Sequence, residues 1–145
     1  MSEYDIYMVM DKTRDEIMKE LYETHPIDAL VSFSELDMHE KLSANSQMVV
    51  KYTELLNAER AHLDRVTALR DKIVGEQYDM YRWNFDKELK PAEIEKYYLP
   101  KDPKVIKANL LVRRQSWRTD FFSMCVKAIN SQQWNLKNFL EALRT

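Results

Sequence analysis

A single glycine, Gly75, in a chain of 145 residues is the feature that most limits how this sequence can fold. Tight turns with positive φ draw on glycine, and a sheet protein with many hairpins draws on it repeatedly. Four prolines add few further turn points. A helical chain with a small number of connections follows. The same scarcity excludes glycine-rich phosphate loops, because neither GxGxxG nor a Walker-type loop can be assembled from one glycine. Hydrophobic residues at 45% suffice for one packed core, and charged residues at 32% suit a folded domain and not a disordered tail.

Proline sets the breaks between helices. Ile6, Met10, Ile17 and Leu21, with Val9 and Met18 beside them, predict an irregular amphipathic helix over about Asp5–Glu23, ended ahead of Pro26. Ile27 to Leu42 reads as an irregular connector, with a short strand or a helical turn as alternatives within it. Ser43 is a candidate cap for a long helix to about Trp83. Along it Val49, Leu56 and Leu63 fall seven apart, as do Val66, Ile73 and Met80, with Tyr52 two heptads earlier. Glu59, Arg70 and Gln77 interrupt this seam. A rod of ~60 Å at 1.5 Å per residue needs a second long helix or another subunit to cover it.

Asn84 to Lys90 is a polar joint, and Pro91 opens a short helix through Tyr98 that Pro100 breaks. Asp102-Pro103 puts a capping acceptor next to a proline in the first helical position, which starts a second long helix to about Asn130. Its expected apolar stripe is Ile106, Leu110, Arg113, Trp117, Phe121, Met124 and Ala128. Asn130-Ser131 predicts a turn before a last amphipathic helix with Trp134, Leu136, Phe139, Leu140 and Leu143. The expected fold is all-α: a long antiparallel, coiled-coil-like helical hairpin with short flanking helices, assembling into a homo-oligomeric ring. A single domain is expected over 1–145, with an acidic N-terminal helix and connector over 1–42 and the hairpin with a C-terminal oligomerisation helix over 43–145.

Catalytic chemistry finds little footing. Cys125 alone makes neither an intramolecular disulfide nor a multi-cysteine zinc site. His25, His39 and His62 lack the spacing of a metal pair. Glu93 and Glu95, two residues apart, fall on different helix faces, and Asp11, Asp15, Glu16 and Glu20 read as a solvated face. The expectation is no enzyme, no catalytic residue, no metal and no cofactor. Met1 to Met10 lacks the basic flank and apolar run of a signal peptide, and no stretch reaches the ~20 apolar residues of a membrane span. No membrane and a cytoplasmic location are therefore expected.

Charge is unevenly placed. From Met1 to Asn45 eleven acids stand against four bases, whereas Ser46 to Thr145 carries eighteen bases against thirteen acids. Such asymmetry accompanies nucleic-acid binding, and equally describes ordinary solvated helix faces. Two surfaces combine cations with aromatics. Lys104, Lys107, Arg114 and Arg118 share one edge of the second long helix, beside Trp117. The other follows the end of the first long helix, where Arg70, Lys72, Tyr81, Arg82, Trp83 and Lys87 interleave charge and rings, with Tyr97 and Tyr98 in the next element. Lysine and arginine neutralise phosphates, and rings stack on unpaired bases whatever the sequence. The competing reading makes the cations the flanks of a helix–helix seam and the rings a satellite core.

Leu42-Ser43-Ala44-Asn45-Ser46 with Lys51-Tyr52, Tyr78-Asp79-Met80-Tyr81, Lys101-Asp102, and Ile129-Asn130 followed by Trp134-Asn135-Leu136-Lys137-Asn138 resemble, in order and spacing, the UvsY-like recombination mediators of T-even-type bacteriophages. The likeness covers roughly Leu36 to Arg144. It implies a hexameric or heptameric homo-oligomer that binds single-stranded DNA and helps load a RecA-like phage recombinase in place of single-strand-binding protein. It also implies the host cell cytoplasm as location. One departure stands out. The family carries a lysine and an arginine just before the acidic-aromatic cluster that matter for DNA binding, where this chain has Gly75 and Gln77. Arg70, Lys72 and Arg82 are then the nearest cations. The alternative from another class is a structural or adaptor coiled-coil oligomer without direct DNA binding.

Overall fold

A computed structural model describes residues 12–83 and 88–144. These residues are helical with short connections, and no strand occurs among them. Helix α1 spans Arg14–Thr24, α2 Ile27–Val31, α3 Met38–Trp83, α4 Pro91–Glu93 and α5 Pro103–Arg144. The all-α expectation holds. The expected start of the first helix at Asp5 lies outside the described residues.

Two expected boundaries are corrected. Helix α3 begins at Met38, not at Ser43, which lies inside it. A tight turn leads into it: the Ser34 amide donates to Asp37 Oδ1 at 2.6 Å, the Asp37 amide donates to the Ser34 carbonyl at 3.3 Å, and the Asp37 carbonyl accepts the first helical bond from Lys41 at 3.0 Å. The Ser34 hydroxyl also donates to Asp37 Oδ1, at 3.2 Å, so the Asp37 side chain ties this turn together. The expected turn at Asn130-Ser131 is absent, and α5 runs unbroken from Pro103 to Arg144. Neither residue is a strong helix breaker, and Ile129, Gln132 and Leu136 are buried on one face across the supposed turn.

The chain forms two compact units, one mainly from Ala61–Ser116 and the other from Asp15–Arg60 with Trp117–Thr145. In the second, Ile17 and Leu21 of α1, Ile27 of α2, Tyr52 and Leu56 of α3, and Phe121, Phe122, Cys125 and Ile129 of α5 make one core. Edge-to-face contacts order its rings: Tyr22 on Phe121 at 5.1 Å and Phe121 on Phe122 at 5.3 Å. Asn45 Nδ2 donates to Gln132 Oε1 at 2.9 Å and to the Ile129 carbonyl at 3.1 Å, and Gln132 Nε2 donates to the Val31 carbonyl at 2.8 Å. Further along, Arg118 Nη2 donates to Glu59 Oε1 at 2.8 Å. Partner numbers rise on α3 as they fall on α5, so the two segments are antiparallel within this unit.

The stripe expected on α5 holds in part: Phe121 is fully buried, and Trp117 and Ala128 pack against the core. Ile106 is 39% exposed and Met124 is 44% exposed. The buried positions are Val105, Ala108 and Gln115 in the first unit, and Thr119, Phe121, Phe122, Cys125, Ile129, Gln132 and Leu136 in the second. Ala108, Gln115, Phe122, Ile129 and Leu136 are spaced by seven, so the face follows a heptad. Its polar member, Gln115, hides it from a count of apolar residues alone. Cys125 is fully buried, and burial pushes its thiol up to about 11, as an inert core sulfur requires.

Candidate nucleic-acid interface

The unit built on Ala61–Ser116 holds the aromatic cluster expected at the end of the first long helix. Leu89, Ile94, Leu99 and Val105 form a small core, against which Ile73, Val74, Tyr78, Tyr81 and Tyr98 pack. The fastener is Asp102, which is buried. Its Oδ2 accepts from Gln77 Nε2 at 2.8 Å and from the Tyr81 hydroxyl at 2.7 Å. Its Oδ1 accepts from the amides of Lys104 at 2.9 Å and Val105 at 3.1 Å, capping α5 as the Asp102-Pro103 signal predicts. Burial alone would raise the Asp102 carboxyl, but the four donors together hold it below the usual carboxylate range. The hydrogen bond to Asp102 and, after it, burial push the Tyr81 phenol up to about 12, so Tyr81 stays a neutral ring.

After α4 the backbone widens to a π-helical turn over Ile94–Tyr98 and then tightens to a 3₁₀ turn over Leu99–Lys101. Pi turns are rare and recur at functional sites. Here the turn buries Ile94 and leaves Tyr97, one of the next residues along, 54% exposed. Tyr98 meets Tyr81 with ring centroids 5.3 Å apart. Together Tyr81, Glu93, Tyr97, Tyr98 and Lys101 line a cavity of about 510 Å³. Trp83 and Tyr97 are each overlaid by a neighbouring cation. Arg82 lies 5.0 Å from the Trp83 centroid, with Trp83 71% exposed, and Lys96 lies 5.3 Å from the Tyr97 centroid.

The remaining expected binding residues are spread out. Arg70 bonds its neighbour Asp71 at 3.2 Å, and Lys72 faces Glu76 at 3.9 Å on the exposed side of α3. Lys87 lies outside the described residues. Lys104 is exposed, whereas Lys107 and Arg114 are half-buried. Arg118 belongs to the other unit, where Glu59 holds it. Lys104, Lys107, Arg114 and Arg118 are thus not an evenly exposed row. Glu93 and Lys96 were not singled out as binding residues by the sequence. Ring-plus-cation pairs adjacent in sequence, Arg82-Trp83 and Lys96-Tyr97, were the signal that could have added Lys96. Glu93 needs the turn geometry. Among the described residues no group of acidic, histidine or cysteine side chains could hold a metal ion, and no helix is long and apolar enough to cross a membrane.

No family model, no curated protein and no solved structure matches the chain.

Proposed function

We propose that the chain is a recombination mediator, a hexameric or heptameric homo-oligomer that binds single-stranded DNA and promotes loading of a RecA-like recombinase in place of single-strand-binding protein. The observation that supports this reading best is the pairing of exposed rings with cations in one unit: Trp83 under Arg82, Tyr97 under Lys96, and Lys101 beside Tyr98 and Tyr97 in the cavity. Rings stack on any base and cations meet the phosphates between them, which yields binding without sequence demand. The exposed apolar side chains of Met124, Trp134 and Leu143 on α5 support self-assembly. The resemblance in motif order to the UvsY-like mediators supports the choice of pathway.

Fluorescence anisotropy with a short unstructured DNA strand tests the reading. Binding should weaken steeply with salt. Arg82→Ala with Lys101→Ala should weaken it for every sequence, and should reduce the log–log salt slope by about 0.7 for each phosphate no longer neutralised. A flat anisotropy trace from an intact oligomer would overturn it.

A structural or adaptor oligomer is the second reading. What favours it is that Arg118 is held by Glu59 and Arg70 by Asp71, as cations flanking helix surfaces would be. That flat trace is the result it requires.

A further inference from the structure

The cavity beside the Tyr81–Tyr98 pair carries a feature that non-specific binding of a phosphate backbone does not explain. Glu93 lines it, and a carboxylate repels phosphate. Tyr81, Tyr97 and Tyr98 line the cavity, with Tyr97 the most exposed of the three, and aromatic walls suit a flat aromatic guest. The Tyr81 hydroxyl donates to Asp102, which fixes this side chain in the cavity wall. The two charged groups are Glu93, which can only accept hydrogen bonds, and Lys101, which can only donate them. Both are exposed and reach their positions from opposite ends of the α4–π–3₁₀ turn.

A guest complementary to that pair needs two donors for the carboxylate and one acceptor for the ammonium on a single edge. Guanine has this edge: N1–H and N2–H lie side by side, and O6 is next to them. Adenine and cytosine each offer one amino donor beside a ring-nitrogen acceptor. Thymine offers one N–H between two carbonyls. Only guanine gives both oxygens of a carboxylate a proton each.

We infer that this cavity takes a guanine base turned out of the bound strand, with Glu93 receiving N1–H and N2–H, Lys101 donating to O6, and the tyrosine rings stacking on the base. The inference rests on the single-strand reading above and adds base preference to it. A mostly non-specific binder would then hold one guanine per subunit when one is in reach, fixing the register of the strand on each copy. Single-stranded bases are open to this, since their Watson–Crick edges are unpaired.

Anisotropy with two labelled strands tests it: an all-thymine oligonucleotide and the same strand with one central guanine, which avoids the self-association of guanine runs. The wild-type chain should bind the guanine strand about fivefold more tightly, the lower end of what a bidentate contact yields. Glu93→Gln replaces one acceptor oxygen by a donor, so the preference should fall below about twofold with far-UV circular dichroism unchanged. Tyr97→Ala should weaken both strands. If wild type binds the two strands equally, or if Glu93→Gln tightens both by the same factor, Glu93 acts only as a general charge and the inference is overturned while single-strand binding stands. If neither strand binds, the single-strand reading falls, and the base preference with it.

Discussion

Asp102→Ala is the substitution whose cost the structure specifies most closely. Four donors converge on this buried carboxylate: Gln77 Nε2, the Tyr81 hydroxyl and the amides of Lys104 and Val105. Loss of the helix cap costs about 1 kcal/mol. The Gln77 amide, itself buried, is left without an acceptor at about 1–3 kcal/mol, and the half-buried Tyr81 hydroxyl adds a smaller amount. Relief of the desolvated charge offsets part of this, and the expected net loss is about 3 kcal/mol. Asp102→Asn keeps an acceptor for the cap and should cost about 1 kcal/mol. Urea unfolding followed by far-UV circular dichroism measures both. The pH dependence gives a second handle. The carboxyl sits below its ordinary range in the folded chain, so its contribution is complete above the unfolded carboxylate pKa and disappears as pH falls through the lower folded value. Asp102→Asn should lack that acid-side loss. A cost under about 1 kcal/mol for the alanine variant refutes the idea that this residue fastens α3 to the start of α5 within the unit.

Gly75→Ala should stabilise the chain by about 0.5–1 kcal/mol in the same unfolding assay, since a Cβ there meets nothing within 4 Å and the helix no longer carries a glycine. His25 lies between α1 and α2 with Nδ1 3.1 Å from the Tyr52 hydroxyl, and burial, then Lys51, then Arg118 lower its pKa. The unfolded chain therefore binds that proton more readily, so melting temperature should fall as pH drops below about 6.5, and His25→Gln should flatten the trend between about pH 7 and 5.5. Arg118→Ala should cost about 1 kcal/mol, because the Glu59 pair is only partly shielded from water, and should leave single-strand affinity unchanged in the anisotropy assay.

The helices were legible wherever proline or a side-chain cap marked them. Pro26, Pro91 and Asp102-Pro103 all mark real boundaries. Heptads on α3 were legible too, and two of the residues that broke them now have reasons. Glu59 pairs with Arg118, and Gln77 reaches Asp102. Both polar interruptions answer a polar partner far away in sequence, which no local pattern can supply. The same blindness hides part of the buried face of α5, where Phe121 was legible but Gln115 and Gln132 were not. The start of α3 lacks so plain a mark: Asp37 closes a turn with Ser34 just ahead of it, and Ser43 lies inside the helix. At the interface, composition located the rings and cations. The convergence of Glu93 with Lys101 depends on a π turn, for which the sequence has no known signature.

Cys125 gives this molecule a built-in clock. The thiol is the one sulfhydryl in the chain, and it is sealed among Phe121, Phe122 and Ile129. An alkylating or disulfide reagent can reach it only when that core opens. When closing outpaces labelling, the rate of modification reports the free energy of local opening, in the manner of amide exchange. The wild-type chain thus timestamps the breathing of one of its units against any change made in the other, without an introduced probe. A ligand held by the tyrosine cavity that slows modification of this sulfur would show the two units to be energetically coupled.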